Sequence, residues 1–189
     1  MKKHSLKQLL TKDVISAKIR SMGSEISEYY TKLGVSIDDP LMLVVVLKGS
    51  MVFYSDLNRF LSIPTTTECI SISSYGTQTK STGEIRLELD TRNPITNRHV
   101  LIIEDIIDTG KTLSKVTEMF KTRNPKSIEI VTLLSKPSQR QVDIPVKFMG
   151  FTIPNDFVVG YGLDWAEKYR ELPYIAKVIF EDIDTSWMH

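Results

Sequence analysis

Apolar residues along this chain follow two rhythms. Between Lys12 and Leu33, the residues Ile15, Ile19, Met22, Ile26, Tyr29 and Leu33 recur at steps of three or four, which lines one face of a helix. Gly34 follows as the expected stop, because glycine readily takes the left-handed conformation that closes a helix. The segment Leu41–Leu47 (LMLVVVL) is apolar without alternation, the pattern of a strand covered on both faces, as in a parallel sheet. After Lys48, Gly49 and Ser50, a helix is expected from Met51 to Leu61. Residues 65–73 (TTTECISIS) are β-branched and alternating, which predicts a strand.

Residues 74–84 (SYGTQTKSTGE) are small and polar and can build no core; they predict a long flexible loop of the kind that often serves as a lid. A short strand, Ile85–Leu89, is expected to return from it. Pro94 and Asn97 mark a turn, and His99–Glu104 (HVLIIE) is a second continuous apolar strand. Residues 111–122 predict a helix with Leu113, Val116 and Phe120 on one side; Pro125 ends it, and 127–134 (SIEIVTLL) is a third buried strand. Strand, helix and strand in this order make a βαβ unit with a right-handed crossover, so the fold class is α/β. Short strands are expected at Val146–Phe151, Phe157–Val159 and Ile175–Phe180.

Composition narrows the picture. At 189 residues the chain makes one domain, given roughly 100–200 residues per domain. Hydrophobic residues at 41% and charged residues at 25% fit a soluble globular protein. Lys and Arg (24) nearly cancel Asp and Glu (23), which argues against wholesale binding to nucleic acid or to an anionic membrane. The lone Cys69 cannot form an internal disulfide, and a reducing cytoplasm is the simplest home. The N-terminal MKKHSLKQLLTKD lacks the apolar core of a secretory signal, and the longest apolar run is far too short to span a bilayer. His4, His99, His189 and Cys69 have no zinc-ligand spacing. Lys115, Lys121, Arg123 and Lys126 are expected to form a solvated face, and the helix at 12–33 to serve packing or subunit contact.

The segment Val100–Thr112 (VLIIEDIIDTGKT) carries the chemistry. An apolar strand runs into acids and then into Asp-Thr-Gly-Lys-Thr at a helix start. In open parallel sheets the carboxyl ends of strands form the ligand crevice. Thr109, Gly110, Lys111 and Thr112 offer backbone N–H groups, hydroxyls and a helix N-terminus to a phosphate. Glu104, Asp105 and Asp108 would be misplaced beside a bare phosphate. They make sense if the ligand also brings hydroxyls, a divalent cation or a proton to be moved, as a sugar phosphate does. A bend where the strand gives way to the loop would let both Glu104 and Asp105 reach vicinal hydroxyls. Taken alone, these acids could equally cap the helix or sit in water. A P-loop is excluded, because the position five residues before its second glycine holds Asp105.

EDIIDTGKT resembles the 5-phosphoribosyl 1-pyrophosphate (PRPP) loop of the type I phosphoribosyltransferases, in the variant of the hypoxanthine-guanine phosphoribosyltransferases. LKGS (Leu47–Ser50) resembles the family's pyrophosphate loop, and SSYG (Ser73–Gly76) the start of its flexible catalytic loop. LLSKPSQR (Leu133–Arg140) and IPNDFVVGYGLDWAEKYRELPYI (Ile153–Ile175) resemble its base-binding segments. The five motifs stand in the family's order over roughly residues 10–180, and their wording is similar to the bacterial enzymes.

The resemblance implies a single domain: a core of about 35–150, with a mostly parallel central sheet flanked by helices, and a small hood from the N-terminal segment and about 151–189. It implies transfer of the 5-phosphoribosyl group from PRPP to hypoxanthine, and to guanine, giving IMP or GMP and pyrophosphate, with Mg²⁺ as cofactor. It puts Glu104 and Asp105 on the ribose hydroxyls, directly or through the metal, Asp108 near purine N7 as general base, and Asp108 through Thr112 on the 5′-phosphate. It gives Lys48, Gly49 and Arg170 to pyrophosphate, with a non-proline cis peptide often present in that loop, at Leu47–Lys48 or a neighbouring bond. Ser74 and Tyr75 open the catalytic lid, Lys136 donates to the 6-oxo group, Phe157 stacks on the base, Val158 presents backbone groups to its edge, and Asp164 is a metal ligand. Trp165 stands where relatives often carry Tyr. The resemblance further implies a cytoplasmic homodimer or homotetramer that binds neither nucleic acid nor membrane. Two other readings remain open: a regulator of this fold that binds nucleic acid, and an enzyme for orotate, xanthine or adenine.

Overall fold

The computed structural model of the protein describes residues 3–74 and 85–180. Tyr75 and the remainder of the expected lid lie outside them, as does the side chain of Ser74. The chain runs β1 (His4–Leu10), α1 (Lys12–Lys32), β2 (Leu41–Leu47), α2 (Met51–Asn58), β3 (Thr65–Ser74), β4 (Ile85–Leu89), β5 (His99–Ile107), α3 (Lys111–Lys121), β6 (Ser127–Ser135), β7 (Phe148–Thr152), β8 (Val158–Val159) and β9 (Ile175–Phe180). A six-stranded sheet has the order β4-β3-β2-β5-β6-β7. All its pairs are parallel except β3 with β4.

The unbroken apolar runs are explained by helices on both faces of this sheet. Leu41, Leu43 and Val45 of β2 and Leu101 and Ile103 of β5 enter a core with Ile15, Ile19, Met22, Ile26 and Tyr30 of α1 and Phe53 and Leu57 of α2. Their neighbours Met42, Val44, Val46, Val100 and Ile102 pack on the other face against Leu113, Val116 and Phe120 of α3. Thr11 caps α1, its hydroxyl accepting from Val14 N–H at 3.3 Å. Gly34 closes that helix with φ +83°. The buried face of α1 ends at Tyr30, one turn before the sequence pattern predicts: Leu33, just past the helix, is exposed.

Several boundaries differ from expectation. The helix starting at Met51 ends at Asn58 rather than Leu61. Beyond it the chain turns back onto α1, where Ser62 N–H donates to the buried Ser27 hydroxyl at 3.0 Å. The strand expected at Val146–Phe151 begins at Phe148, and the one expected at Phe157–Val159 at Val158. Arg123 and Lys126, expected on a solvated face, are paired: Arg123 grips Asp90 through two 2.7 Å bonds, and Lys126 holds Asp39. The strand entering the acidic segment does not stop at Glu104 but continues to Ile107, with Glu104, Ile106 and Ile107 all paired with β6.

The pattern gives no hint of β1. It forms an antiparallel three-stranded sheet of order β1-β9-β8, placing His4 opposite Phe180. Its residues are mostly exposed, so backbone pairing rather than burial defines it.

Candidate active site

The continuation of β5 decides where the acids go. Successive residues on a strand face opposite sides. Glu104 lines a pocket of about 110 Å³ with Ile107, Asp108, Thr109, Gly110 and Thr112. Asp105 turns the other way, towards Gly49. The expected bend presenting both carboxylates side by side is absent, because the ladder to β6 holds the chain extended there. Burial pushes the Glu104 carboxyl well up, and the neighbouring Asp105 adds to it. Burial also raises Asp105, to about 6; the Ile106 N–H at 2.7 Å and the charge of Arg170 hold it down, whereas Asp164 pushes it further up.

The cradle after β5 is made by backbone. Gly110 has φ +81° at the start of α3, and a Cβ there would stand 2.9 Å from Val142 O, so glycine is required twice over. The first N–H groups of α3 point out of the helix here, with its positive dipole end behind them. The segment after β6 braces the cradle. Gln141 and Val142 donate to Thr109 O at 3.0 and 3.2 Å, and Arg140 reaches Asp108 O at 3.3 Å and Ser135 Oγ at 2.9 Å. Arg140 was not among the expected site residues; it closes the quoted LLSKPSQR motif, but no spacing sets it apart from an ordinary loop arginine.

Lys136 is the feature that most separates this site from a simple phosphate loop. Lysines are rarely buried, yet this one is only 7% exposed. Its backbone N–H donates to Ile107 O at 2.9 Å, and its Nζ lies 3.6 Å from Asp108 Oδ2. A fixed donor and an exposed acceptor thus sit together at the edge of the cradle.

On the opposite face of β5, the exit of β2 meets the loop between β8 and β9. The Leu47–Lys48 peptide is cis. A Cβ on Gly49 would fall 1.7 Å from Asp105 Oδ2, and one on Gly162 would fall 2.1 Å from Gly49 O, so the three segments touch only because both positions lack side chains. Arg170 binds Asp164 at 2.9 Å, Glu167 at 3.3 Å and Gly162 O at 2.8 Å. Lys48 Nζ reaches Glu167 at 3.4 Å, and Glu167 N–H donates to Asp164 Oδ2 at 2.8 Å. Glu167, another residue the sequence did not single out, therefore joins Lys48 to Arg170. Phe157 is 44% exposed, and Val158 beside it is buried.

The expected metal ligands are not gathered at one point. Among the described residues no three His, Cys, Asp or Glu side chains form a metal cage. Asp105 and Asp164 lie on the Gly49 side and Glu104 on the other. This donor set still fits Mg²⁺, which keeps several waters and usually takes one or two carboxylates plus substrate phosphates.

Residues 5–166 match the model of the phosphoribosyl transferase domain family. A hypoxanthine phosphoribosyltransferase of Buchnera aphidicola is 45% identical over 95% of this chain and 99% of its own. That of Salmonella typhimurium is 44% identical with the same coverage. Among solved structures, a hypoxanthine phosphoribosyltransferase from Staphylococcus aureus superposes with a TM-score of 0.83 at 42% identity, covering 91% of this chain and 90% of that one. The Trypanosoma cruzi enzyme gives 0.86 at 41% identity, with 93% and 91% covered.

Proposed function

Because the chain belongs to the phosphoribosyl transferase family, we propose that it carries the 5-phosphoribosyl group of PRPP to hypoxanthine, and also to guanine, releasing pyrophosphate and IMP or GMP. The observation that carries this reading is the Lys136–Asp108 pair, 3.6 Å apart at the edge of the phosphate cradle. An oxopurine presents its 6-oxo group and N7 side by side on one edge. Lys136 donates to the oxygen, and Asp108 accepts the proton carried on N7. Adenine offers an amino group instead, and two donors would then face each other.

The reaction breaks the bond from ribose C1 to the pyrophosphate oxygen and forms one from C1 to purine N9. As N9 attacks, the N7 proton passes to the half-exposed Asp108 carboxylate. The backbone of Asp108 through Thr112 holds the 5′-phosphate and fixes C1 beneath the base. Glu104 and Asp105 approach the ribose from the two faces of β5. Lys48, the Gly49 backbone and Arg170 receive the departing pyrophosphate, with Arg170 already aimed by Gly162 O. Asp105 and Asp164 would hold Mg²⁺, which would supply charge neutralisation for the leaving pyrophosphate. Phe157 stacks on the purine, and Val158 offers its backbone to the base edge. Ser74 and Tyr75 begin the segment that covers the site and keeps water from the cationic ribose.

Homodimer or homotetramer assembly in the cytoplasm accompanies this reading, and light scattering of the pure protein tests the assembly. No helix among the described residues is long and apolar enough to cross a membrane. The decisive assay follows absorbance with PRPP, Mg²⁺ and a panel of bases. Turnover with hypoxanthine or guanine is expected; best turnover with adenine contradicts the role of Lys136. No turnover with any base, accompanied by salt-sensitive binding to nucleic acid, overturns the enzyme.

A further inference from the structure

Phe157 poses a problem of order. Its backbone is fixed, since Phe157 O accepts from Val178 N–H of β9 at 2.8 Å. Its ring, however, is 44% exposed. A ring that must settle into one orientation whenever a base arrives costs binding energy, and a ring already held does not.

Two other aromatic rings hold it. Trp165 lies 6.2 Å from Phe157 between centroids, with the planes at 80°. Phe180, the last residue of β9, lies 6.2 Å away at 43°. Trp165 and Phe180 are themselves edge to face at 5.3 Å, so the three rings close a triangle. Neither neighbour is parallel to Phe157, so neither takes the stacking position that a base would use. On its far side Trp165 meets the His4 ring of β1 at 4.6 Å, and His4 Nε2 is 2.7 Å from the Tyr169 hydroxyl. The backbone beneath Trp165 is pinned as well. Trp165 and Lys168 exchange both N–H to O bonds, at 3.1 and 3.2 Å, around Ala166 and Glu167 with positive φ. The indole therefore stands on a tight, hydrogen-bonded turn.

We propose that Trp165, braced by Phe180 and His4, is a positioning residue that holds Phe157 ready for the purine and so sets the affinity for the base without touching the transferred phosphoribosyl group. This inference rests on the reading of Phe157 as the stacking ring. Its chemistry fits any planar heteroaromatic base; Lys136 and Asp108 choose among bases.

The test measures kcat and the two KM values with PRPP and hypoxanthine for wild type, Trp165→Ala, Trp165→Phe and Phe180→Ala. Trp165→Ala is expected to raise the hypoxanthine KM by about two- to tenfold, the range an aromatic pair commands. The PRPP KM and kcat stay within about twofold on the same scale. Trp165→Phe restores most of the loss. Phe180→Ala, at an exposed site that leaves the fold intact, moves the hypoxanthine KM the same way by less, and decides the matter if Trp165→Ala does not fold. The chain has two tryptophans, so in a Trp187→Phe background Trp165 emission reports on its own ring and is expected to change when IMP binds. An unchanged hypoxanthine KM in both alanine variants, with wild type active, overturns the brace alone. So does a parallel rise in both KM values that Trp165→Phe fails to rescue. A wild-type protein that turns over no base overturns the underlying function and the brace together.

Discussion

On the proposed reading the site has a phosphate end and a base end, and at the first of these Glu104 through Thr112 come from one strand, one turn and one helix. At the base end, Lys136, Phe157, Val158 and Trp165 come from the end of β6 and from the segment between β7 and β9. The first end is made largely of backbone N–H groups whose direction follows from local conformation, φ +81° at Gly110 above all. The second is made of side chains held by neighbours distant in sequence, such as His4 against Trp165. Charge recognition can thus be written into a short stretch of chain, whereas the shape and polarity that choose a base need several stretches brought together. Asp108 belongs to both ends: its carbonyl is tied to Arg140 and its carboxylate faces Lys136.

Asp108 is therefore the sharpest place to separate the two. Asp108→Asn keeps the size and the backbone cradle but loses the carboxylate proposed to accept the proton. Turnover is expected to fall by about 10²–10⁴-fold, with PRPP affinity within a few-fold of wild type. Intact turnover would mean that another group takes the proton. Lys136→Ala acts mainly on the base end. A hydrogen bond to a charged group contributes about 1.5–3 kcal/mol, so the preference for 6-oxo over 6-amino purines should drop by roughly ten- to a hundredfold. Selectivity that does not move would remove Lys136 from recognition.

Gly49→Ala strikes the opposite face of β5. Its Cβ would displace the Asp105 carboxylate, and forced packing of this kind costs about 1–3 kcal/mol. A raised PRPP KM with an unaltered hypoxanthine KM is the expected split; equal changes in both would deny that the two ends are separable.

The smallest effect lies away from the site. Glu68 of β3 is buried and accepts from Arg92 N–H at 2.9 Å and Asn93 N–H at 3.3 Å, and also from the Asn93 amide. Burial alone would raise its pKa, but these donors outweigh it and hold the carboxyl below the usual glutamate value. A carboxylate with a depressed folded pKa stabilises the protein above its unfolded pKa, and that contribution disappears as pH falls through the folded value. Glu68→Gln should cost about 1 kcal/mol at neutral pH and flatten the acid side of a thermal-melting profile, with both KM values unchanged. A profile identical to wild type would discount Glu68 as an acid-sensitive tie.

Legibility in the sequence followed the same division. The spacing of Ile15, Ile19, Met22 and Ile26 announced α1, and the unbroken run of β2 announced a strand covered on both faces, because burial leaves a direct trace in residue type. The Asp-Thr-Gly-Lys-Thr turn was equally plain. Glu104 and Asp105 were recognised as chemistry, but their polar character suggested that the strand had ended. Its pairing with β6 carries it through them and onto two faces. The β1 strand left no trace, since an exposed edge strand is defined by the partner it finds. Arg140 and Glu167 were passed over because a charged loop residue looks the same whether it braces a site or faces water.

By itself, the order of residues determined the parallel-sheet core and the glycine turn that opens α3, since hydrophobic periodicity and glycine-dependent turns act over a few neighbouring positions. Only the tertiary structure decided that Lys136 is buried beside Asp108, that Asp105 rests against Gly49, and that Phe157 stands within a triangle of rings. Each of these is a contact between segments far apart along the chain, and the energy that fixes it exists only once packing has excluded water from between them.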